Sequence, residues 1–209
     1  MTATGCPKPA MRSVELARTY GVKLHVRSAF TWAPGTWVTE EASMENAIIS
    51  AVTHDTSESK MTVSGVPDRP GVAASLFRPL ADAEVNVDMI VQNVSAEGHT
   101  DISFTLPHDQ TARARAAVEA ASASLGATGF VADDEIARVS LIGAGMQTNP
   151  GVAATMFETL SAHDINIEMI STSAIRISCV VREAQAEEAV AALHAAFQLD
   201  MAPEDRVGL

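Results

Sequence analysis

Only two of the 209 residues are cysteine, Cys6 and Cys179. Neither has a second cysteine or a histidine at metal-ligand spacing, which excludes a disulfide framework and a zinc site of the C-x-x-C kind. Cys179 lies in the apolar run Ile175–Val181, which reads as a buried, inert thiol, and a reducing compartment fits. No apolar stretch approaches the roughly 18–20 uninterrupted residues needed to cross a bilayer, and the first residues lack the basic-then-apolar order of an export leader. A cytoplasmic protein without a membrane partner is expected. Basic residues are few as well: 14 against 26 acidic ones give a net charge of −12, a field that repels phosphate backbones and argues against nucleic acid as a partner.

Catalytic signatures are missing too. No G-x-x-x-x-G-K-[ST] loop is present to cradle a nucleotide's phosphates. The histidines His25, His54, His99, His108, His163 and His194 are scattered, form no Ser-His-Asp set, and read as solvated or hydrogen-bonded surface groups. What remains is a chain that is 47% hydrophobic and 19% charged, which is enough apolar surface to close one or two globular cores and too much for disorder over most of its length.

The most informative feature present is an internal repeat. Pro70-Gly71-Val72-Ala73-Ala74 recurs as Pro150-Gly151-Val152-Ala153-Ala154, an offset of 80 residues. The same offset carries Gly65 to Gly145, Phe77 to Phe157, Leu80 to Leu160, Asn86 to Asn166, Met89 to Met169 and Ile90 to Ile170. A period this long implies two duplicated domains rather than a solenoid.

Each copy begins with an alternating strand, Lys60–Val66 or Arg138–Gly143. Pro70 or Pro150 then stands in the first turn of a helix whose apolar positions are Val72, Leu76, Phe77 and Leu80, or Val152, Met156, Phe157 and Leu160. Two strands follow, 88–95 with 100–106 and 168–173 with 174–181, and an alanine-rich helix closes each copy at about 108–124 and 184–197. The order β-α-β-β-α is one strand short of a ferredoxin-like βαββαβ unit. Residues 129–133 supply the missing strand of the first copy. The second copy is followed only by a charged tail, so its strand must come from residues 47–53, and an α+β fold with the first domain inserted into the second is expected. The boundaries are 57–135 for the first domain, 44–56 plus 136–200 for the second, and 201–209 for the tail.

Both Pro-Gly helix starts leave the N–H groups of Gly71 and Val72, or Gly151 and Val152, without intrahelical partners, able to cap the helix or to hold a carboxylate. Asn86 and Asn166 precede the second strand of each copy, where an amide and nearby carbonyls suit an ammonium group, and Asp68 and Asp88 add negative charge. A zwitterionic amino acid matches this combination.

The stretches 66–74, 86–95 and 166–173 resemble the paired ACT domains of aspartate kinase, most nearly its regulatory β subunit. Residues 11–18, 25–30 and 34–36 are similar to the end of that family's kinase domain, so 1–43 is expected to be a kinase-domain remnant that either packs on the ACT pair or docks on a catalytic partner. The family's Lys-Phe-Gly-Gly and Gly-Gly-Ser-Asp motifs are absent. The resemblance therefore implies a regulatory chain that is no catalyst by itself, with ATP and Mg on the catalytic chain and no cofactor here. It implies threonine bound between ACT1 of one chain and ACT2 of another in a homodimer, held by Asp68, Gly71, Val72, Ala73 and Gln92 and by the partner's Asn166 and Ile167. A second effector site, for lysine in this family, would use Asn86, Asp88, Met146, Gly151, Ala153 and Ser173. Ala174 departs from the pattern: a glutamate stands there in relatives, and its loss removes an anion for a lysine side chain. The alternatives are a free-standing amino-acid-binding module and a fragment of a whole aspartate kinase.

Overall fold

The computed structural model describes residues 4–6, 8–38, 49–93, 98–143, 149, 151–202 and 205–206. In chain order these form α1 (Met11–Thr19), β1 (Leu24–Val26), β2 (Thr36–Val38), β3 (Ile49–Asp55), β4 (Glu58–Pro67), α2 (Val72–Asp82), β5 (Ile90–Gln92), β6 (His99–Pro107), α3 (Thr111–Leu125), β7 (Gly129–Asp133), β8 (Ile136–Gly143), α4 (Gly151–Ala162), β9 (Met169–Thr172), β10 (Arg176–Arg182) and α5 (Ala186–Ala196). Two four-stranded antiparallel sheets carry the repeat, ordered β5-β6-β4-β7 and β3-β8-β10-β9. Because β3 precedes the first sheet in the chain yet pairs with β8, the first unit is inserted into the second.

Strand alternation decides which face each sheet buries. Met61 and Val63 of β4 with Ile102, Phe104 and Leu106 of β6 point at Val72, Leu76 and Leu80 of α2 and Val118 of α3 to form the first core. Ala137, Val139 and Leu141 of β8 do the same against Val152, Met156 and Leu160 of α4 and Leu193 of α5. The opposite faces are polar, with Lys60 and Thr62 on β4 and Arg138 and Ser140 on β8. Between the units a small apolar cluster unites the repeat-equivalent Met89 and Met169 with Ile136 and Val180.

Local details depart from the sequence pattern for identifiable reasons. Pro70 is outside the first helix: Gly71, at φ 92°, is the residue before α2, a left-handed conformation that only glycine adopts without strain. The second copy differs, because Gly151 is already inside α4. The expected strand 88–95 shortens to β5: ahead of it Asp88 and Met89 both bond to the Thr105 backbone, the Asp88 N–H donating to its carbonyl and the Met89 carbonyl accepting from its N–H, a two-against-one pairing that breaks the regular ladder; residues 94 and 95 lie outside the described residues. Each alanine-rich helix is preceded by a one-turn 3-10 segment, His108–Gln110 or Glu183–Gln185. Both copies leave their first helix through a left-handed non-glycine residue, Glu84 at φ 55° and Asp164 at φ 54°.

The N-terminal residues touch β3. Thr53 Oγ1 donates to Thr4 Oγ1 at 3.0 Å, and Gly5 packs so closely on the His54 carbonyl that a Cβ there would stand 1.9 Å from its oxygen. Beyond this, α1 and the β1–β2 ribbon lie outside both sheets, with His25 stacked on Trp37 at 4.0 Å between centroids.

Candidate functional site

The register of the first sheet locates the candidate residues. Val66 opposes Thr100 at one end of β4, and Glu58 opposes Pro107 at the other. Asp68 follows β4 and its N–H donates to the Gly98 carbonyl at 2.9 Å, so the 68–71 loop sits beside the start of β6. Gln92, opposite Ile102, finishes β5 at this same end. Asp68, Gly71, Ala73 and Gln92 are all exposed there, whereas the Val72 side chain is in the core and only its backbone is available. The Val72 N–H reaches the Arg69 carbonyl at a weak 3.4 Å and the Val152 N–H the Asn149 carbonyl at 3.3 Å. Both are loop carbonyls outside the helices.

Asn86 and Asp88 occupy the opposite end. The Asp88 N–H donates to the Thr105 carbonyl, near Glu58, and the Asn86 N–H to Gln110 Oε1 at 2.8 Å. A helix start and an asparagine of one copy therefore do not face each other across one ligand, because the helix and strand between them carry the chain the length of the sheet. The second unit repeats the layout. Gly151 and the half-buried Ala153 share an end with Ser173, which turns tightly between β9 and β10 through its N–H to the Arg176 carbonyl at 2.7 Å. Exposed Asn166, Ile167 packed on the second core, and Glu168 lie at the other end, where the Glu168 N–H meets the Val180 carbonyl. Met146 lies outside the described residues, as does Pro150. Each candidate set is thus split between a glycine end of one unit and an asparagine end of the other.

The family described as ACT domain matches residues 61–121 and 139–197, one match per repeat. The chain belongs to the ACT domain family, in its aspartokinase branch. An aspartokinase of Mycolicibacterium smegmatis is 48% identical over 204 residues, covering 95% of this chain and 48% of that protein. The chain therefore spans about half the length of the curated relatives it matches. The ligand-free regulatory subunit of aspartate kinase from Thermus thermophilus is 36% identical at a TM-score of 0.69, over 72% of this chain and 99% of that one. The aspartate kinase of Synechocystis is also 36% identical, at a TM-score of 0.72, over 93% of this chain and 36% of that one.

Between ACT1, the first unit, and ACT2, the second, lies a charge network that sequence reasoning missed. Arg138 of β8, only 2% exposed, reaches Asp55 at 3.3 Å, Glu58 of ACT1 at 2.8 Å, and the carboxylate of Asp88. Lys60 of β4 pairs with Glu168 of ACT2, which also accepts from Arg182 at 3.2 Å, and Arg182 holds Asp133 of ACT1 at 2.6 Å. Asp88 and Glu168 are repeat equivalents, so each ACT domain sends the acid two residues past its asparagine to a cation on the first strand of the other. The signal in the sequence was the offset of 80 applied to Asp88, together with Lys60 and Arg138 on the faces of β4 and β8 turned away from the two cores.

Burial and charge compete within this network. Burial raises the Glu58 carboxyl above its ordinary range despite Arg138, and one of its oxygens, like Arg138 Nε, has no partner among the described residues. At Asp55 and Glu168 burial also pushes upward, but hydrogen bonds from Ser57 to the former and from Lys60 and Arg182 to the latter hold both below the usual carboxylate range. The Arg182 hydrogen bond lowers Asp133 likewise. Burial pushes the Cys179 thiol up to about 12, which suits an inert core group. Among the described residues no three His, Cys, Asp or Glu side chains gather as a metal site, and no helix is long and apolar enough to cross a membrane.

Proposed function

We propose that this chain is the sensing part of an aspartate kinase, binding threonine where ACT1 of one copy meets ACT2 of a second and so controlling phosphorylation of aspartate by a catalytic part on a separate chain that holds ATP and Mg. The observation that carries the reading is the split site. Asp68, Gly71 and Gln92 form an exposed anion-and-amide corner at one end of ACT1, while the complementary Asn166 and Ile167 are on ACT2. The asparagine ends of the two domains already face each other within the chain around Arg138 and Lys60, so a second copy must supply the missing half. Homodimerisation is consistent with edge strands β5 and β9, where the repeat-equivalent Ile90 and Ile170 stay exposed.

Lysine is the weaker effector in this reading. Ala174 is exposed in the turn after Ser173, where the pattern of relatives would place a carboxylate, and Asp88 and Glu168 already neutralise Arg138, Lys60 and Arg182. The alkyl ammonium of lysine would have to leave water without a dedicated anion.

The test is calorimetric titration of threonine into the chain and into Asp68→Ala. Saturable binding that weakens by about 5–150-fold in the variant is expected if Asp68 makes a charge-assisted hydrogen bond. No binding to the native chain would contradict the reading, and aspartate phosphorylation by this chain alone would contradict catalysis on a separate chain.

A further inference from the structure

The two glutamines that close the one-turn 3-10 segments, Gln110 and Gln185, occupy the same place in ACT1 and ACT2. Each is the residue just before its alanine-rich helix, with φ −99° and ψ −5° at Gln110 and φ −102° and ψ 0° at Gln185. Short side chains such as Ser, Thr, Asn or Asp are favoured there because they cap the first N–H groups of the helix. Neither glutamine makes a capping bond. Both are half-buried, and both send the amide across to the loop that leaves the first helix of their own domain.

That loop carries the candidate effector asparagine. Its start is fixed by the N–H groups of Val85 and Ile165 on the Leu80 and Leu160 carbonyls, and its end by those of Asp88 and Glu168 on the Thr105 and Val180 carbonyls. Between these anchors Asn86 with Val87, and Asn166 with Ile167, lie outside any strand. Gln110 Oε1 accepts from the Asn86 N–H at 2.8 Å, and Gln185 Nε2 donates to the Asp164 carbonyl at 3.2 Å. A primary amide offers both an acceptor and a donor, so one residue type serves an N–H in ACT1 and a carbonyl in ACT2. A carboxylate could replace it only in ACT1, and a methionine in neither.

We propose that Gln110 and Gln185 are positioning residues for effector binding, holding the two loops so that the exposed Asn86 and Asn166 are aimed at a ligand before it arrives. The proposal rests on the threonine reading, in which Asn166 and Ile167 complete the corner of a second copy. Groups that meet a ligand bind best when neighbouring hydrogen bonds already hold their geometry. Pinning the Asp164 carbonyl, two residues ahead of Asn166, removes freedom that the loop would otherwise lose on binding.

The test titrates threonine calorimetrically into the native chain, Gln185→Met and Gln185→Glu at pH 7 and pH 5. Hydrogen exchange of residues 84–88 is followed in Gln110→Met and Gln110→Glu, and urea unfolding checks that every variant folds. Gln185→Met should bind threonine about three- to tenfold more weakly than the native chain at both pH values, the effect of losing one hydrogen bond. Gln185→Glu should match that loss at pH 7, where its carboxylate faces a carbonyl. It should recover toward native affinity at pH 5, because the nearby carbonyl favours the protonated carboxyl, which donates again. In ACT1 the methionine should speed exchange at Asn86, and the glutamate, still an acceptor, should not. Native affinity in Gln185→Met would overturn the proposal, as would equal losses in both Gln185 variants at both pH values, the mark of a merely structural role. Exchange at Asn86 that Gln110→Met leaves unchanged would overturn it too. If Gln185→Met does not fold, the pH response of Gln185→Glu decides. A native chain that binds no threonine would sink the effector reading and this proposal with it, an outcome distinct from native binding that the variants leave intact.

Discussion

Arg138 sits between two domains with three carboxylates within reach and almost no contact with water. Its desolvation is tolerable only because Asp55, Glu58 and Asp88 answer its charge. Removing it strands those acids, so Arg138→Met should destabilise the chain by about 3–5 kcal/mol in urea unfolding. A loss under about 1 kcal/mol would mean that the network is incidental. Ala174 is the opposite case, a residue whose importance lies in the charge it lacks. Ala174→Glu should strengthen lysine binding in a calorimetric titration; equal lysine affinity in the two proteins would show that position 174 does not discriminate.

At the scale of elements, the two copies share a helix exit that the sequence hid. Glu84 and Asp164 are left-handed, a conformation that costs a residue with a Cβ roughly 1–2 kcal/mol, while Val85 and Ile165 close the helix ends through N–H bonds to Leu80 and Leu160 at 2.9 and 3.0 Å. Glu84→Gly should therefore stabilise by about 0.5–1 kcal/mol in thermal or urea unfolding, and a destabilised variant would show that this side chain has an unrecognised role. The strand and helix order was legible because the offset of 80 aligned two imperfect copies, each resolving ambiguities in the other. The place of β3 followed from counting strands, since the second copy could complete its sheet from nowhere else. What escaped were features set by local interactions rather than by periodicity: the pairing of Asp88 and Met89 with the one residue Thr105, which breaks the ladder before β5, and the left-handed Gly71 that shifts the start of α2. The candidate residues were named one by one from the repeat and the family resemblance. That they divide between opposite sheet ends was not, because strand direction decides it.

For the molecule as a whole, the network makes the ACT1–ACT2 contact sensitive to acid. Asp55, Asp133 and Glu168 have folded values below their ordinary ones, so the stability they lend is complete above about pH 4.5 and is lost as pH falls through their folded values. Glu58 acts in reverse: its raised value favours the folded state in acid, and that contribution is lost as pH rises through it. Three groups against one predict a net fall in urea midpoint from pH 5 to pH 3, and Lys60→Met should flatten that fall by releasing Glu168. An equal pH dependence in the variant would remove Lys60 from the account.

β5 and β9 each end a sheet and lie beside each other within the chain, and the proposed reading divides every candidate effector set between two copies. The most direct measurement is therefore subunit mass by sedimentation across a micromolar concentration series, with and without threonine. A dimer is predicted, with threonine lowering its dissociation constant; a monomer at micromolar concentration in both conditions would contradict a site completed by a second copy.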